Sequence, residues 1–245
     1  MNTEKTETGT GLTWFERVER AENGTGLDLL VDDEKSYVRL IVARQGYGLH
    51  KLIKDKDFEV RRAVVQQNYC LDVLIKDEDP MIRVEVAKQG YGLDVLLKDK
   101  DPIVRLELAK MGYGLDTLVN DERWFVRHEV AHQSLVHAKQ LINDSSKLVR
   151  AQVARLGQGL ETLINDEETY VRLEVVKQGY GLDVLVNDED MYVRLEVAKL
   201  GYAQDILSHD KNWEVRRAVA KNGYSLGLFE TDSHYLVRKE TSSHE

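Results

Sequence analysis

One residue type sets the frame for this chain of 245 residues. An arginine recurs at Arg39, Arg61, Arg83, Arg105, Arg127, Arg150, Arg172, Arg194, Arg216 and Arg238, 22 residues apart at every step except one of 23. Self-similarity at a fixed period means that each unit is a supersecondary element too small to bury its own apolar face, which closes only against its neighbours. An aspartate keeps the same period six residues upstream, at Asp33, Asp55, Asp77, Asp99, Asp121, Asp144, Asp166, Asp188, Asp210 and Asp232. The period selects a solenoid before any other feature is read.

Within one period the residue before the arginine is always β-branched and apolar, from Val38 and Val60 through Ile82 to Val237. Pairs such as Val86 and Ala87 or Val197 and Ala198 follow three and four residues after it, which draws a narrow apolar stripe along a helix of about ten residues. Upstream, leucines such as Leu52, Leu74, Leu96 and Leu185 anchor a shorter segment of about two turns, either α or 3₁₀. Asp79-Pro80 and Asp101-Pro102 read as an N-cap followed by a first-turn proline, and Asp57, Asp190, Asn212 and Ser146 fill the same cap position. Gly46, Gly90, Gly112, Gly157, Gly179, Gly201 and Gly223 stand where a left-handed C-terminal cap is needed. The tyrosine that usually follows them is expected to fold back on its own helix.

Ten aspartates and ten arginines in the turn between two helices resemble the Asp-Arg ladder of HEAT repeats. The unit is shorter than a HEAT repeat. With its stunted first helix and turns such as Asp-Glu-Asp-Pro-Met-Ile-Arg at residues 77–83, it is most similar to the leucine-rich repeat variant, over about residues 12–240. This resemblance implies an all-α, right-handed superhelical solenoid of about ten repeats, in which the Asp-Arg pair bridges adjacent repeats and satisfies turn amides. It implies a surface for another molecule and says little about chemistry. Residues 1–11 are expected to form a disordered tail, and residues 12–242 one solenoid. Trp14, Phe15, Arg17, Glu19 and Ala21 align with Trp124, Phe125, Arg127, Glu129 and Ala131, so residues 13–22 read as a half-repeat cap. Lys239, Thr241 and Ser242 make residues 235–242 a polar cap at the other end.

Composition narrows the setting. The polar N-terminus lacks the apolar stretch of a signal peptide and no run is long enough to span a membrane, so the chain is expected to be soluble and cytoplasmic. Its one cysteine, Cys70, cannot make an internal disulfide, and it stands where other repeats carry Gly or Ala, so it reads as a small packed thiol. A net charge of −9 argues against the basic face of a nucleic-acid-binding protein.

Several residues depart from the repeat or invite a chemical reading. His128, Glu129 and His132 match the HExxH pattern of zinc proteases, yet Glu129 is the glutamate of most repeats and no third ligand or cleft is in view. The same segment resembles the His-Glu pairs of deoxyhypusine hydroxylase, a HEAT-repeat di-iron enzyme, but one pair cannot supply a di-iron site. No metal or other cofactor is therefore expected. His137 lies in the only 23-residue step, which makes residues 124–141 the least repetitive segment and a place for a bend or partner contact. The paired aspartates of turns such as Asp77-Glu78-Asp79 divide into a ladder residue and a helix cap rather than a calcium site. Glu85, Glu107, Glu129, Glu174 and Glu196, with lysines three residues on, read as a solvated stripe.

Large side chains that change from repeat to repeat stand out against this regularity. Phe58, Trp124, Phe125, Met191, Tyr192, Trp213 and Tyr235 occupy the first turn of the long helices, where aromatic anchors suit recognition. The expected function is a non-enzymatic scaffold whose partner is another protein. The alternatives are a nucleic-acid-binding solenoid with the architecture of HEAT-like DNA glycosylases, an acidic DNA mimic, and, last, a metal-dependent enzyme at residues 128–132.

Overall fold

The repeat around Arg83 shows how local chemistry builds each unit. Asp79 adopts an extended backbone and accepts a hydrogen bond from the Met81 amide at 2.8 Å, and Pro80 opens the helix Pro80–Lys88 at a position that needs no donor. Ile82, Val86 and Ala87 are fully buried along one stripe. The helix ends at Gln89, after which Gly90 turns left-handed at φ 74°. Two residues later Gly92, also left-handed, starts the one-turn helix Leu93–Leu96, whose Leu96 closes the same core.

In the computed structural model, which describes residues 11–241, this pattern of long helix, left-handed exit and short helix recurs from Trp14–Glu22 to Tyr235–Thr241. The described residues form no strand, and none of their helices is long and apolar enough to cross a membrane. Residues 1–10, where a disordered tail was expected, and Ser242 of the polar cap lie outside the described residues. The long helices are nine residues, ten in Trp124–Gln133 and seven in Tyr235–Thr241, and isolated helices of that length are marginal in water. Their stability comes from stacking: within each unit neighbouring long helices pack on one another, as Ser36–Arg44 on Phe58–Gln66 and Lys147–Arg155 on Thr169–Lys177, short helices such as Leu71–Leu74 pack on the long helix that follows, and each buried Leu, Ile or Val contributes roughly 1.5–3 kcal/mol. The chain divides between Gly114 and Leu115 into two compact units. Leu30, Val42, Val64, Ile82 and Leu96 belong to the core of the first, and Val130, Val153, Leu185, Val197 and Phe229 to that of the second.

The structure refines several expectations. The short segments are α-helical, such as Leu71–Leu74 and Leu182–Leu185, except for the 3₁₀ turn Leu226–Leu228. Ser146 holds the N-cap position without a side-chain cap bond. Tyr113 does not turn back on its own helix; its hydroxyl reaches Asp94 of the preceding short helix at 2.6 Å. The second glycine of each Gly-Tyr-Gly exit carries a role that the spacing alone did not reveal: a Cβ on Gly92 would stand 2.2 Å from Ile75 Cδ1. Cys70, Ala203 and Ser225 take that position with left-handed backbones at φ 48°, 46° and 45°. Cys70 is a half-buried free thiol.

At the 23-residue step the left-handed exit disappears. Ser134, extended at φ −148°, both ends Trp124–Gln133 and opens Leu135–Gln140, so the extra residue is absorbed by lengthening the two helices around it.

Candidate functional site

Two surfaces compete for the role of a site, the turn edge that carries the ladder and the face formed by the long helices. At the turn edge guanidinium groups within each unit span two repeats. Arg83 Nε and Nη2 donate to both carboxylate oxygens of Asp99 at 2.7 and 2.8 Å, while Nη1 donates to the carbonyl of Asp77 in its own repeat at 2.7 Å. Asp99 Oδ1 also accepts the Asp101 amide at 2.8 Å. The arrangement repeats in the first unit at Arg39 with Asp55 and Arg61 with Asp77, and in the second at Arg127 with Asp144, Arg150 with Asp166, Arg172 with Asp188, Arg194 with Asp210 and Arg216 with Asp232. It begins one repeat before the first of the ten arginines, with Arg17 and Asp33 at 2.8 Å. Arg105 donates to the Asp99 carbonyl at 2.6 Å, Asp121 Oδ1 accepts the Arg123 amide at 2.9 Å, and Arg238 donates to the Asp232 carbonyl.

Most of these side chains are buried, and the bidentate fork is the strong form of the ion pair. Burial alone would raise the carboxyl of Asp99; the Arg83 fork and the Asp101 amide outweigh it and hold the group below its ordinary value. Asp55 and Asp210 are lowered against the same opposing burial, and Asp232 is lowered chiefly by Arg216. With its groups committed to one another, this edge has little left for a ligand.

A second rung went unread in the sequence. The C-cap side chains Gln45, Gln67 and Asn222 donate to the carbonyls of Glu22, Arg44 and Ala198 on the preceding long helices, at 3.0, 3.2 and 2.7 Å. These satisfy carbonyls that a helix end leaves without partners. The signal was a Gln or Asn at the C-cap of some of the long helices, directly before the left-handed residue.

No family model matches this chain, and no curated protein matches it. Among solved structures it is similar to one described as a leucine-rich repeat variant with a novel repetitive protein structural motif, at 25% identity and a TM-score of 0.63, covering 78% of this chain and 87% of that one. The fold is that of a HEAT-like repeat solenoid.

On the long-helix face of this solenoid the variable side chains divide into groups. Phe58 of the first unit is exposed at the start of Phe58–Gln66. Trp124 is exposed and meets the half-buried Phe125 edge-on. Met191 is half-buried and accepts a hydrogen bond from Asn212 at its sulfur. Tyr192, Trp213 and Leu195 line an open groove of about 410 Å³ between Met191–Lys199 and Trp213–Lys221. His234 stacks on Trp213 with centroids 3.9 Å apart, which fixes the indole, and the exposed Tyr235 continues the stack.

His137 is held by its own neighbours. Its side chain is only 12% exposed, tied by Nδ1 to Ser134 Oγ at 2.8 Å and by Nε2 to Asp116 at 2.9 Å. Those bonds hold the irregular helix Leu135–Gln140 to the short helix Leu115–Leu118.

Residues 128–132 do not converge on a metal position. His132 is exposed and lies 3.7 Å from Glu129, whose carboxylate takes the Gln133 amide at 2.7 Å. His128 is half-buried and edge-on to Trp124. Burial pushes its imidazole below the ordinary value, Glu129 opposes, and Arg155 and His132 reinforce. Among the described residues no three or more His, Cys, Asp or Glu are grouped to hold a metal ion. The glutamate stripe is also less solvated than its pattern suggested. Glu174 is 3% exposed, clamped by Arg155 at 3.2 Å and Lys177 at 2.9 Å, because the long helices crowd together at that position.

Proposed function

We propose that this solenoid is a non-enzymatic scaffold that binds another protein through the exposed face of its long helices. The observation that carries the reading is the open, aromatic-floored groove at Tyr192 and Trp213, on a fold whose repeated polar groups are spent on one another. Aromatic side chains held by their own neighbours, as Trp213 is by His234, present area to a partner with little ordering left to do. The ladder aspartates and arginines serve the frame, and the variable positions serve recognition. A nucleic-acid reading draws on Arg155, Lys177 and Lys199, but their charges are taken up by Glu174 and Glu196.

Affinity capture with the intact chain and with a Tyr192→Ser, Trp213→Ser variant, each with and without nuclease, tests the proposal. The expected result is a protein recovered by the wild type despite nuclease and lost by the variant, with unchanged helical circular dichroism. Recovery that nuclease abolishes would transfer the function to nucleic acid.

A further inference from the structure

The open groove between Met191–Lys199 and Trp213–Lys221 exists because one side chain is small. Where the two preceding long helices carry a glutamate two residues after the ladder arginine, Glu174 and Glu196, the helix Trp213–Lys221 carries Ala218, which is buried and leaves a hollow. The groove is fixed from both ends. Trp213 is held by its stack on His234, and Asn222 ties its helix to the Ala198 carbonyl at 2.7 Å. Both walls run the same way, because Tyr192 and Trp213 stand at their N-terminal ends and Lys199 and Lys221 at their C-terminal ends.

The charges around the groove divide into those already paired and those left free. Arg217 donates to Glu240 at 2.7 Å and Lys199 lies 3.1 Å from Glu196, so both of these cations are neutralised. Ala218 takes away the acid that Glu174 supplies to Lys177 and Glu196 to Lys199, three residues before each lysine, and Lys221 is left exposed without an ion pair among the described residues. Glu214 is released in a second way. The corresponding Glu59 of Phe58–Gln66 is taken by Arg62 at 3.0 Å, whereas Arg217 turns to Glu240 and leaves the half-buried Glu214 carboxylate with no hydrogen bond or ion pair among the described residues.

One free charge of each sign therefore lines the groove, at opposite ends of one helix and about 10 Å apart along its axis. The anion sits beside the rings of Tyr192 and Trp213, and the cation lies beyond Leu195 and the hollow. An acidic segment would meet Glu214, a basic one would meet Lys221, and a nucleic-acid strand has no cation to give Glu214. An occupant that satisfies both ends carries a base at the aromatic end, an acid at the other, and apolar surface between. Residues seven apart share one face of an α-helix, and an acid toward the N-terminus with a base toward the C-terminus suits the helix dipole. A helix charged in that order fits only antiparallel to the two walls, with its dipole opposed to theirs.

We infer that this groove receives an amphipathic helix of a partner protein, with an acid toward its N-terminus and a base seven residues on, laid antiparallel to Trp213–Lys221. The inference rests on the scaffold reading and names the shape and charge order of its partner. The base is an arginine, whose planar group stacks on the face of Trp213 that His234 leaves uncovered and pairs with Glu214. The acid meets Lys221. Between them a leucine or similar side chain fills the hollow over Ala218 against Leu195. The order of the two charges fixes the direction of the helix and excludes segments that carry one sign alone.

A phage-displayed library of alanine-based helical peptides, randomised along one face and panned against the intact chain, reads the charge order directly. Selected peptides should place Asp or Glu seven residues before Arg or Lys with apolar residues between, and a synthetic copy of one should bind with a stoichiometry of one by calorimetry. Exchanging the two charges in that peptide should weaken binding by roughly tenfold or more, and the variant Glu214→Lys, Lys221→Glu should prefer the exchanged peptide. The milder Glu214→Gln should narrow the difference between the two peptides, with helical circular dichroism unchanged. Failure to select any peptide, selection of one sign without the order, indifference of both variants to the exchange, or preferential binding of a single-stranded oligothymidine would overturn the inference. A captured protein that is lost with Tyr192→Ser, Trp213→Ser but retained by Glu214→Lys, Lys221→Glu would sink it while leaving the scaffold reading in place.

Discussion

The turn edge and the long-helix face of this solenoid are built from the same repeats and obey opposite rules. At the turn edge Asp and Arg recur without a substitution, whereas on the face the residue three before each arginine runs through Trp, Ser, Phe, Pro, Thr, Lys, Met and Tyr. The difference lies in what a change would strand. Removing a ladder aspartate leaves a guanidinium buried without its counter-charge and a turn amide without its acceptor. Removing an exposed aromatic strands nothing, so that position is free to take whatever a partner demands.

The comparison breaks most readily at its strong end. Asp99→Ala should cost about 3 kcal/mol, since Arg83 is left 4% exposed and unpaired, and the denaturant midpoint should fall accordingly. An unchanged midpoint would place edge and face on equal terms. The same pairs set an acid limit. The ladder carboxyls of Asp55, Asp99, Asp210 and Asp232 titrate below their unfolded values, so their contribution is complete above about pH 4 and declines as pH falls through the lowered values. The melting temperature of the wild type should drop more steeply below pH 4 than that of Asp99→Asn.

A smaller effect of opposite sign is expected at the exit turns. Ala203→Gly relieves a left-handed alanine and should raise stability by roughly 1 kcal/mol, measured as a higher melting temperature. A neutral or destabilising result would mean that the turn tolerates a side chain without strain.

The smallest effect belongs to the face. His128→Leu should change stability by no more than about 0.5 kcal/mol near pH 7.5. Because burial lowers its imidazole, the wild type loses stability as pH falls through the ordinary histidine range, and the variant should not. A thermal melt at pH 7.5 and 5.5 compares the two slopes.

What could be read in the sequence follows the same division. Period, caps and ladder positions were legible because backbone groups pose the same demand in every repeat. The bridging of adjacent repeats came from the resemblance and not from the spacing of six, which lies within one repeat: Arg83 takes the carbonyl of Asp77 and the carboxylate of Asp99 in the next repeat. The aromatic candidates were visible as departures from pattern, but their groupings were not. His137 stood out for the same reason, and its bonds to Ser134 and Asp116 could not be read from a break in period. The hollow beside Trp213 depends on an absent side chain, Ala218, and absences are hard to see in a sequence read for what it contains.

The offset of the ladder has a consequence for how such a chain changes length. Within each unit an arginine such as Arg83 carries half of a joint whose other half sits on the following repeat, and successive repeats offer the same two halves. Copying or deleting one whole period brings a matching arginine and aspartate together at the new seam, whatever decorates the face. Even the 23-residue step preserves the joint, with Arg127 on Asp144 at 2.6 Å. Interchangeable seams make the number of repeats a quantity that selection can vary independently of what each repeat displays.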